Sequence, residues 1–267
     1  MTVEVRSLPP TLAAVVGDLE LEEASYVTLG QIREIADRYG ISSHAGDLAW
    51  RLRRNGWLLP TPRRGVWEFA PAAHAGRYSR GDVFAVLRGE LNLRPDEDIR
   101  VGLLSALWLR GWAERPPSRH ELSAAPDTAV SAGLGRVYRV RRFESRSVPD
   151  RLRGLPVETT ASTLVHVAAR PGHVSSWESI EQALPDLAEV TSAEQLREEV
   201  AGRPSAVAAR LGYLLHGVAP DLVHEAGLRP AAGTTRFGPR TGQTMRFDSD
   251  WNVVDTLLPF DPAVVAR

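Results

Sequence analysis

The feature that most constrains the fold of this 267-residue chain is residues 41–71, which have the pattern of a helix followed at once by a hairpin. Ser42 and Ser43 are residue types that cap helix starts. Asn55-Gly56 is suited to end the helix, because glycine tolerates the left-handed conformation used there. Between these ends, apolar residues at helical spacing predict one buried face, formed by Ala45, Leu48, Ala49 and Leu52.

A β-hairpin is predicted directly after this helix. Its strands are the apolar runs at residues 57–59 and 66–69, and the connection at residues 60–65 places Arg63 and Arg64 at the tip. A basic helix followed by a hairpin with a basic tip is the layout of a winged helix, in which the helix enters the major groove and the wing touches the phosphate backbone. The pattern also fits a small α+β domain of another kind, whose arginines are simply solvated.

The charge of the chain is segregated. The whole sequence has a net charge of −1, which argues against a protein that coats nucleic acid indiscriminately. Residues 42–70, however, carry five arginines against Asp47 and Glu68, a net charge of +3, whereas residues 1–41 carry a net charge of −4. The helix and hairpin are therefore suited to face phosphate while the preceding segment faces away from it.

The composition excludes several kinds of site. The chain has no cysteine, which excludes disulfides and thiolate metal sites. Its basic residues are all arginine, which excludes a Schiff-base lysine, a phosphate-loop lysine and the usual lysine of metal-dependent restriction-type nucleases. No stretch approaches the roughly 20 apolar residues that cross a membrane, and the N-terminus lacks the form of a signal peptide. We expect a cytoplasmic protein that does not contact a membrane.

The sequence predicts an α+β protein with an N-terminal winged helix-turn-helix domain at residues 1–72 and a larger C-terminal mixed α/β domain at residues 77–267, joined by a linker at residues 71–76. In the first domain, a helix at residues 29–39 is expected to be capped by Thr28. The helices predicted in the second domain are residues 82–91, 99–110, 158–169, 173–183, 192–201, 204–216 and 221–226. The predicted strands are residues 120–124, 135–143, 234–237, 244–247 and 253–258.

A second basic stretch begins in the predicted strand at residues 135–143. Residues 136–153 carry seven arginines against two acidic residues, a net charge of +5. Four of these arginines fall within the predicted strand: Arg136, Arg139, Arg141 and Arg142. The stretch is either a second surface for nucleic acid or an acidic partner, or a solvated strand edge whose charge guards against aggregation.

No arrangement of residues in the sequence indicates catalysis. The seven histidines lack close metal-ligand spacing, and His166 and His173 are too far apart for ligands on one helical turn. Asp248, Asp250 and Asp255 could form a nuclease-like metal site, but such residues more often cap turns and strand ends. The sequence contains no Ser/His/Asp arrangement and no glycine-rich phosphate loop. We therefore expect a protein that is not an enzyme and has no catalytic residue, metal or cofactor.

Several sequence phrases, in their order and spacing, resemble the antitoxins of the AbiE type (AbiEi), regulators that are paired with a nucleotidyltransferase-like toxin. Each phrase is short, but together they cover most of the chain. They are the basic helix and hairpin at residues 53–58 and 65–69, SALW through GW at residues 105–112, LPV through ARP at residues 155–171, and GRP through RLGYLL at residues 202–215.

The resemblance implies a type IV toxin–antitoxin system in which this chain is both the antitoxin and the transcriptional repressor of its own operon. It implies binding to double-stranded DNA at inverted repeats in the promoter, and we further expect cooperative self-association on that DNA. The antitoxin function is expected mainly in the C-terminal domain, and in this family it usually operates without a stable complex with the toxin. Two alternatives stay open: a stand-alone winged-helix regulator without a toxin, and a nuclease-like enzyme.

The residues expected to contact DNA lie on the predicted recognition helix and wing. They are Ser43, His44, Arg51, Arg54, Arg63 and Arg64. Ser43 and the amides at the helix start are suited to a phosphate, Arg51 to a bidentate contact with guanine, and the wing arginines to phosphates. His44 and Arg54 also fit plain surface positions.

Other residues of the same segment are expected to pack within the domain. Arg53 is expected to turn sideways against its neighbours. The tryptophans are expected to pack in the core or wing rather than stack on bases: Trp50, Trp57 and Trp67.

Overall fold

The computed structural model describes residues 8–22, 24, 26–61, 64–71, 82–240 and 245–265, and the chain divides into two compact units. The first unit comprises Met1–Glu97 together with Ala129–Val137, and the second comprises Asp98–Thr128 together with Tyr138–Arg267. Residues 82–97, which we expected in the second domain, thus belong to the first unit. Helices combined with several separate sheets confirm the predicted α+β class.

Both units contain helices and strands. The α-helices are α1 (Pro10–Leu21), α2 (Leu29–Arg38), α3 (Ala45–Arg54), α4 (Ala85–Leu93), α5 (Leu103–Arg110), α6 (Ala132–Val137), α7 (Thr160–Ala169), α8 (Trp177–Val190), α9 (Ala193–Val200), α10 (Ser205–Leu215) and α11 (Pro220–Glu225). The strands are β1 (Tyr26–Thr28), β2 (Leu58–Pro60), β3 (Val66–Phe69), β4 (Ile99–Val101), β5 (Glu121–Ala124), β6 (Arg139–Arg142), β7 (Asp150–Leu152), β8 (Leu155–Val157), β9 (Thr235–Phe237), β10 (Arg246–Asp248) and β11 (Val253–Asp255). Within the described ranges, no helix has the length and apolar character needed to span a bilayer.

In the first unit, helices α1, α2 and α3 share an apolar core with an antiparallel sheet whose strand order is β1-β3-β2. Helix α2 starts with a capping box, as the sequence predicted in part. The Thr28 hydroxyl accepts a hydrogen bond from the backbone amide of Gln31 at 3.2 Å. In return, the backbone amide of Thr28 donates a hydrogen bond to the side-chain oxygen of Gln31 at 2.8 Å. The buried core residues on α3 and the hairpin are Ala45, Leu48, Ala49, Leu52, Trp57, Leu58 and Phe69.

Helix α4 packs on strands β1 and β3 and completes the first unit. At Gly89 the approach is so close that a Cβ atom would lie 2.8 Å from Cγ1 of Val66. On the same helix the buried Glu90 carboxylate pairs with Arg94 and accepts a hydrogen bond from the Ser131 hydroxyl at 2.9 Å. These contacts explain why α4, and with it α6, belongs to the first unit.

The second unit is built on a mixed sheet with the strand order β6-β5-β4-β8-β7. Strand β4 pairs antiparallel with β5 and parallel with β8, and β6 forms one edge by pairing parallel with β5. A smaller sheet, β10-β11-β9, contacts α10. Helix α7 is buried over residues 160–168 and contacts α5, α8, α9 and α10, so it lies at the centre of the helical core.

The prediction of a single helix at residues 99–110 is wrong, because strand β4 ends there at a turn before α5. The turn is set by Glu158, whose carboxyl carbon lies 3.0 Å from the position that a Cβ atom on Gly102 would occupy. The same carboxylate accepts the amide of Leu103 at 3.1 Å and so caps the start of α5.

Two further elements differ from their predictions. Residues 135–143, predicted as one strand, contain the end of α6 and then β6. At the start of α6, the Ser131 hydroxyl accepts a hydrogen bond from the Leu134 amide at 3.3 Å. In place of the helix predicted at residues 173–183, the structure has α8 at Trp177–Val190, and the Ser176 side chain provides its N-cap.

The buried Glu199 carboxylate ties three segments of the second unit together. Its Oε1 accepts hydrogen bonds from the amides of Arg146 and Ser147 at 2.9 Å each, and from the hydroxyls of Ser147 and Ser162 at 2.8 Å each. Its Oε2 accepts a hydrogen bond from Arg203 at 3.1 Å. Burial by itself raises the pKa of Glu199, but the hydrogen bonds, led by that from the Ser147 amide, lower the pKa overall.

The lowered pKa predicts acid sensitivity. Because the folded-state pKa of Glu199 lies below its ordinary value of 4.5, the stabilisation is complete above that value and is lost as the pH falls through the folded-state pKa. As the pH falls from about 5 to about 3, we expect the free energy of unfolding to decrease less in the Glu199→Gln variant than in the wild type. Denaturant unfolding of both proteins across this range measures the effect, and identical pH dependence would contradict it.

A second stability prediction concerns Gly212 on α10, where a Cβ atom would lie 2.0 Å from Cζ3 of Trp251. We expect Gly212→Ala to lower the free energy of unfolding by about 1–3 kcal/mol, the usual cost of overpacking a core. Gly17→Ala is the control, since Gly17 in α1 has no atom within 4 Å of its Cβ position. The control should leave stability unchanged or raise it slightly, and equal stability of the two variants would refute the packing argument.

Candidate nucleic-acid interface

Helix α3 is held by its inner face and by the hairpin that follows it. Its buried residues are those that the spacing predicted: Ala45, Leu48, Ala49 and Leu52. The chain leaves the helix through Gly56, whose φ is +74°, and the Trp57 amide then donates to the Leu52 carbonyl at 2.9 Å. Trp57 stacks on Phe69 of β3 with ring centroids 6.5 Å apart. These contacts determine which face of α3 points away from the core.

The start of α3 differs from the prediction. The helix begins at Ala45, and His44 occupies the N-cap position without a side-chain capping hydrogen bond, so neither Ser42 nor Ser43 is the cap. The reason is the backbone: the His44 carbonyl accepts the Asp47 amide at 2.9 Å, which starts the helical hydrogen bonds after the serines. Ser43 is half-buried and His44 is exposed.

The side of α3 that faces away from the core, here called the α3 outer face, is formed by exposed residues on successive turns. They are Gly46, Asp47, Trp50, Arg53 and Arg54. Arg53, which we expected to turn sideways and pack, is exposed, and its side chain has no hydrogen bond or ion pair with any described residue. The helical spacing of residues 46, 50, 53 and 54 is the sequence signal that would have identified this face.

Arg51 lies at the margin of the α3 outer face and is half-buried. Its Nη2 donates a hydrogen bond to the Thr11 hydroxyl on α1 at 3.2 Å. This contact holds the guanidinium of Arg51 beside α1, whereas the side chains of Arg53 and Arg54 project from the exposed face. Arg53 is therefore a better candidate for DNA contact than Arg51.

The prediction that Trp50 packs within the domain is wrong. Trp50 is 58% exposed, because it falls on the α3 outer face rather than among the inner positions, and the guanidinium carbon of Arg54 lies 5.3 Å from its ring centroid. Trp57 is 5% exposed and belongs to the core, and Trp67 packs partly buried against that core. The pair of Trp50 and Arg54 thus presents an aromatic ring and a cation together on the surface.

The hairpin places one of the two predicted wing arginines at its exposed end. Arg64 is exposed, whereas Arg63 lies outside the described residues. Gly65 beside it has a φ of +79°, and its carbonyl accepts the amide of Leu29 at the start of α2 at 3.2 Å. The Thr61 hydroxyl donates to the Val66 carbonyl at 2.6 Å, which closes the base of the connection. The hairpin is thus fixed to α2 of the same unit.

The four arginines of the predicted strand at residues 135–143, in the second basic stretch, fall in different units. Arg136 lies on α6 of the first unit, and Arg139, Arg141 and Arg142 lie on the edge strand β6 of the second. Arg139 is 3.4 Å from the buried carboxylate of Glu121. Arg142 donates to two backbone carbonyls at 2.9 and 2.7 Å. Two of the arginines on this edge are therefore engaged within their own unit.

Two of the three aspartates considered for a metal site with Asp250, namely Asp248 and Asp255, have structural partners. The buried Asp255 carboxylate accepts hydrogen bonds from Tyr213 at 3.2 Å and from Arg246 at 2.8 Å, and it also caps the backbone of the following turn. Asp248 accepts the Trp251 amide at 2.9 Å. Across the described ranges, no group of three or more His, Cys, Asp or Glu side chains is arranged to hold a metal ion.

His166 and His173, which the sequence spacing appeared to separate, are in contact. The turn at Pro171–His173 brings Nδ1 of His173 to 3.0 Å from Nε2 of His166, whose Nδ1 lies 2.8 Å from the buried carboxylate of Glu158. Burial, with the electrostatic effect of the neighbouring His166 ring, lowers the pKa of His173 to about 4. Both ring nitrogens of His166 are thus occupied by protein partners, which makes it a poor metal ligand.

Comparison with a solved structure agrees with this fold over nearly the whole chain. The crystal structure of the RV2827C protein from Mycobacterium tuberculosis superimposes with a TM-score of 0.79 and 25% sequence identity, covering 95% of this chain and 94% of that chain. No curated protein sequence gives a significant match.

A family comparison identifies the second unit. Residues 100–217 match the family model described as the AbiEi antitoxin C-terminal domain. The matched segment contains the main sheet of the second unit, strands β4 to β8, and its helices α5 and α7 to α10, together with α6 of the first unit. The resemblance inferred from the sequence is thereby confirmed over residues 100–217, which are similar to the AbiEi antitoxin C-terminal domain.

Proposed function

We propose that this protein is a DNA-binding antitoxin that represses its own toxin–antitoxin operon by binding inverted repeats in the promoter, and that it counteracts a nucleotidyltransferase-like toxin. The AbiEi-type domain at residues 100–217 supports the antitoxin role. The observation that carries the DNA-binding role is the exposed, basic α3 outer face, which presents Arg53 and Arg54 away from the core. As a regulator of transcription, the protein would act in the cytoplasm.

The arrangement of the first unit supports interpretation as a winged helix-turn-helix. Its elements follow the order α1-β1-α2-α3-β2-β3, and β1 pairs with β3 of the hairpin. Helix α3 follows α2 after a short turn in which Gly40 has a φ of +62°. In such domains the second helix of the pair lies in the major groove and the hairpin lies beside the phosphate backbone. We assign these roles to helix α3 and to the end of the hairpin at Arg64.

The exposed charges of the first unit favour the same docking mode. Arg53 and Arg54 lie near the C-terminal end of α3, and Arg64 lies at the hairpin end, so all three can approach phosphates on the flanks of the groove. On α1 and α2, by contrast, Asp18 pairs with Arg38 at 2.5 Å, and several further acidic residues at these helices are exposed, namely Glu20, Glu22, Glu34 and Asp37. The N-terminal turns of α3, with His44, would then reach the base edges.

Inverted repeats require symmetry in the bound protein. We propose that two copies bind one pair of half-sites and associate cooperatively on the DNA, because a two-fold operator matches two-fold related protein. The antitoxin effect is assigned to the C-terminal domain, with the toxin as a functional partner rather than one that must form a stable complex.

The first test is a gel shift on the DNA upstream of the gene for this protein. We expect the Arg53→Ala/Arg54→Ala variant to bind at least about tenfold more weakly, and the slope of log K against log salt to fall by about 0.9 for each lost phosphate contact. The matched control is Arg115→Ala/Arg229→Ala, which removes two exposed arginines of the second unit. Equal weakening in both double variants, or equal binding to scrambled DNA, would refute the assigned interface.

The two roles should also be separable. When the Arg53→Ala/Arg54→Ala variant is expressed from an independent promoter, we expect it to lose repression of an operon reporter and to keep protection of growth against the toxin. The physical reason is that the substituted side chains lie on the surface of the first unit, whereas the AbiEi-type domain lies in the second. Loss of both activities in a folded variant would contradict this division of roles.

A further inference from the structure

We propose that Trp50 selects thymine in the major groove of the operator, with Arg54 held on its ring as an adjoining contact to the DNA. The proposal rests on the proposed function, since it specifies what the α3 outer face reads. The feature that carries it is a tryptophan and an arginine stacked together in the middle of an exposed, basic helix face.

The exposure of Trp50 is not explained by packing within the unit. Burial of a tryptophan contributes strongly to a core, yet the inner face of α3 is filled by other residues and Trp50 remains 58% exposed. Single exposed apolar side chains are common, so exposure alone decides nothing. The position of Trp50 is more informative. The indole lies on the same exposed face as Arg53 and Arg54, where only a bound partner would bury it.

The space beside the indole is open toward the start of the helix. Gly46 lies four residues before Trp50, one turn closer to the N-terminus on the same face of the helix. Gly46 has no side chain, and apart from its chain neighbours and the backbone of the helix no described atom lies within 4 Å of its Cβ position. The first turns of a recognition helix are the part that meets base edges, and here a base edge can approach the flat indole closely.

The cations on this face favour DNA over a protein partner. The guanidinium carbon of Arg54 lies 5.3 Å from the Trp50 ring centroid. The preceding residue, Arg53, is exposed, and its side chain forms no ion pair with a described residue. A second copy of this chain docking on the same face would desolvate like charges. DNA instead supplies phosphates for the guanidinium groups and base edges for the ring.

The chemistry of the indole selects the base. The thymine C5-methyl group is the apolar group that a standard base pair presents in the major groove, and apolar side chains contact it. Stacking on the ring limits the conformations of Arg54, so less conformational freedom is lost when it contacts the DNA. Trp50 is thus expected to determine specificity at one thymine in each half-site.

The test combines protein and DNA substitutions on the upstream DNA. Each thymine of a half-site is replaced in turn by deoxyuridine, which removes only the methyl group, and binding is measured for the wild type, Trp50→Ala and Trp50→Phe. We expect one position at which deoxyuridine weakens the wild type by about fourfold per half-site, has no effect on Trp50→Ala, and has an intermediate effect on Trp50→Phe. The thermal midpoint of each free variant checks that it is folded.

Each other outcome overturns the proposal in a distinguishable way. If the wild type binds its operator but deoxyuridine affects it and Trp50→Ala equally at every position, thymine selection by Trp50 is refuted and the proposed function stands. If Trp50→Ala converts a free dimer into a monomer, the residue forms a protein interface instead. If the wild type shows no specific binding to its upstream DNA, both this proposal and the DNA-binding function fail.

Discussion

Carboxylates buried in the second unit must find hydrogen-bond donors, and this requirement sets how its sheet and helices meet. Glu121 and Glu158 are both fully buried and cap the start of α5. Glu158 accepts a hydrogen bond from the Leu103 amide at 3.1 Å, and Glu121 accepts one from the next amide, that of Leu104, at 3.2 Å. Glu199 gathers donors in the same way from a loop and from α7. An unsatisfied buried carboxylate would cost a large part of the stability of a domain, so these contacts fix the helices against the strands.

The part of the first unit formed by α1, α2, α3 and the hairpin is held together differently, and the difference bears on function. Its core is apolar, and α3 contributes only its inner face to it. The residues of the outer face consequently do not contribute to this core, so that they can be suited to binding a partner. Trp57 and Trp50 illustrate this: one stacks on Phe69 in the core, and the other stands on the surface with Arg54 against its ring.

The arginines of the chain divide in the same way. Arg139 and Arg142 on the edge strand β6 contact Glu121 and backbone carbonyls of their own unit, so their charge is used in part to hold the second unit. Arg53 and Arg54 have no ion pair with a described carboxylate and remain exposed. Net charge along the sequence therefore does not distinguish arginines that hold a unit together from arginines that remain on its surface.

The sequence by itself determined the local features of this protein: the α+β class, the buried face of α3, the cap at Thr28 and the hairpin. These depend on periodicity and on hydrogen bonds between residues three or four apart, which a single sequence displays. Only the tertiary structure decided what depends on distant partners. Arg51 is tied to Thr11 across 40 residues, and the turn that ends β4 is set by Glu158, 55 residues beyond Leu103. The sequence thus located the candidate interface, but the choice between Arg51 and Arg53 within it depended on how α1 packs beside α3.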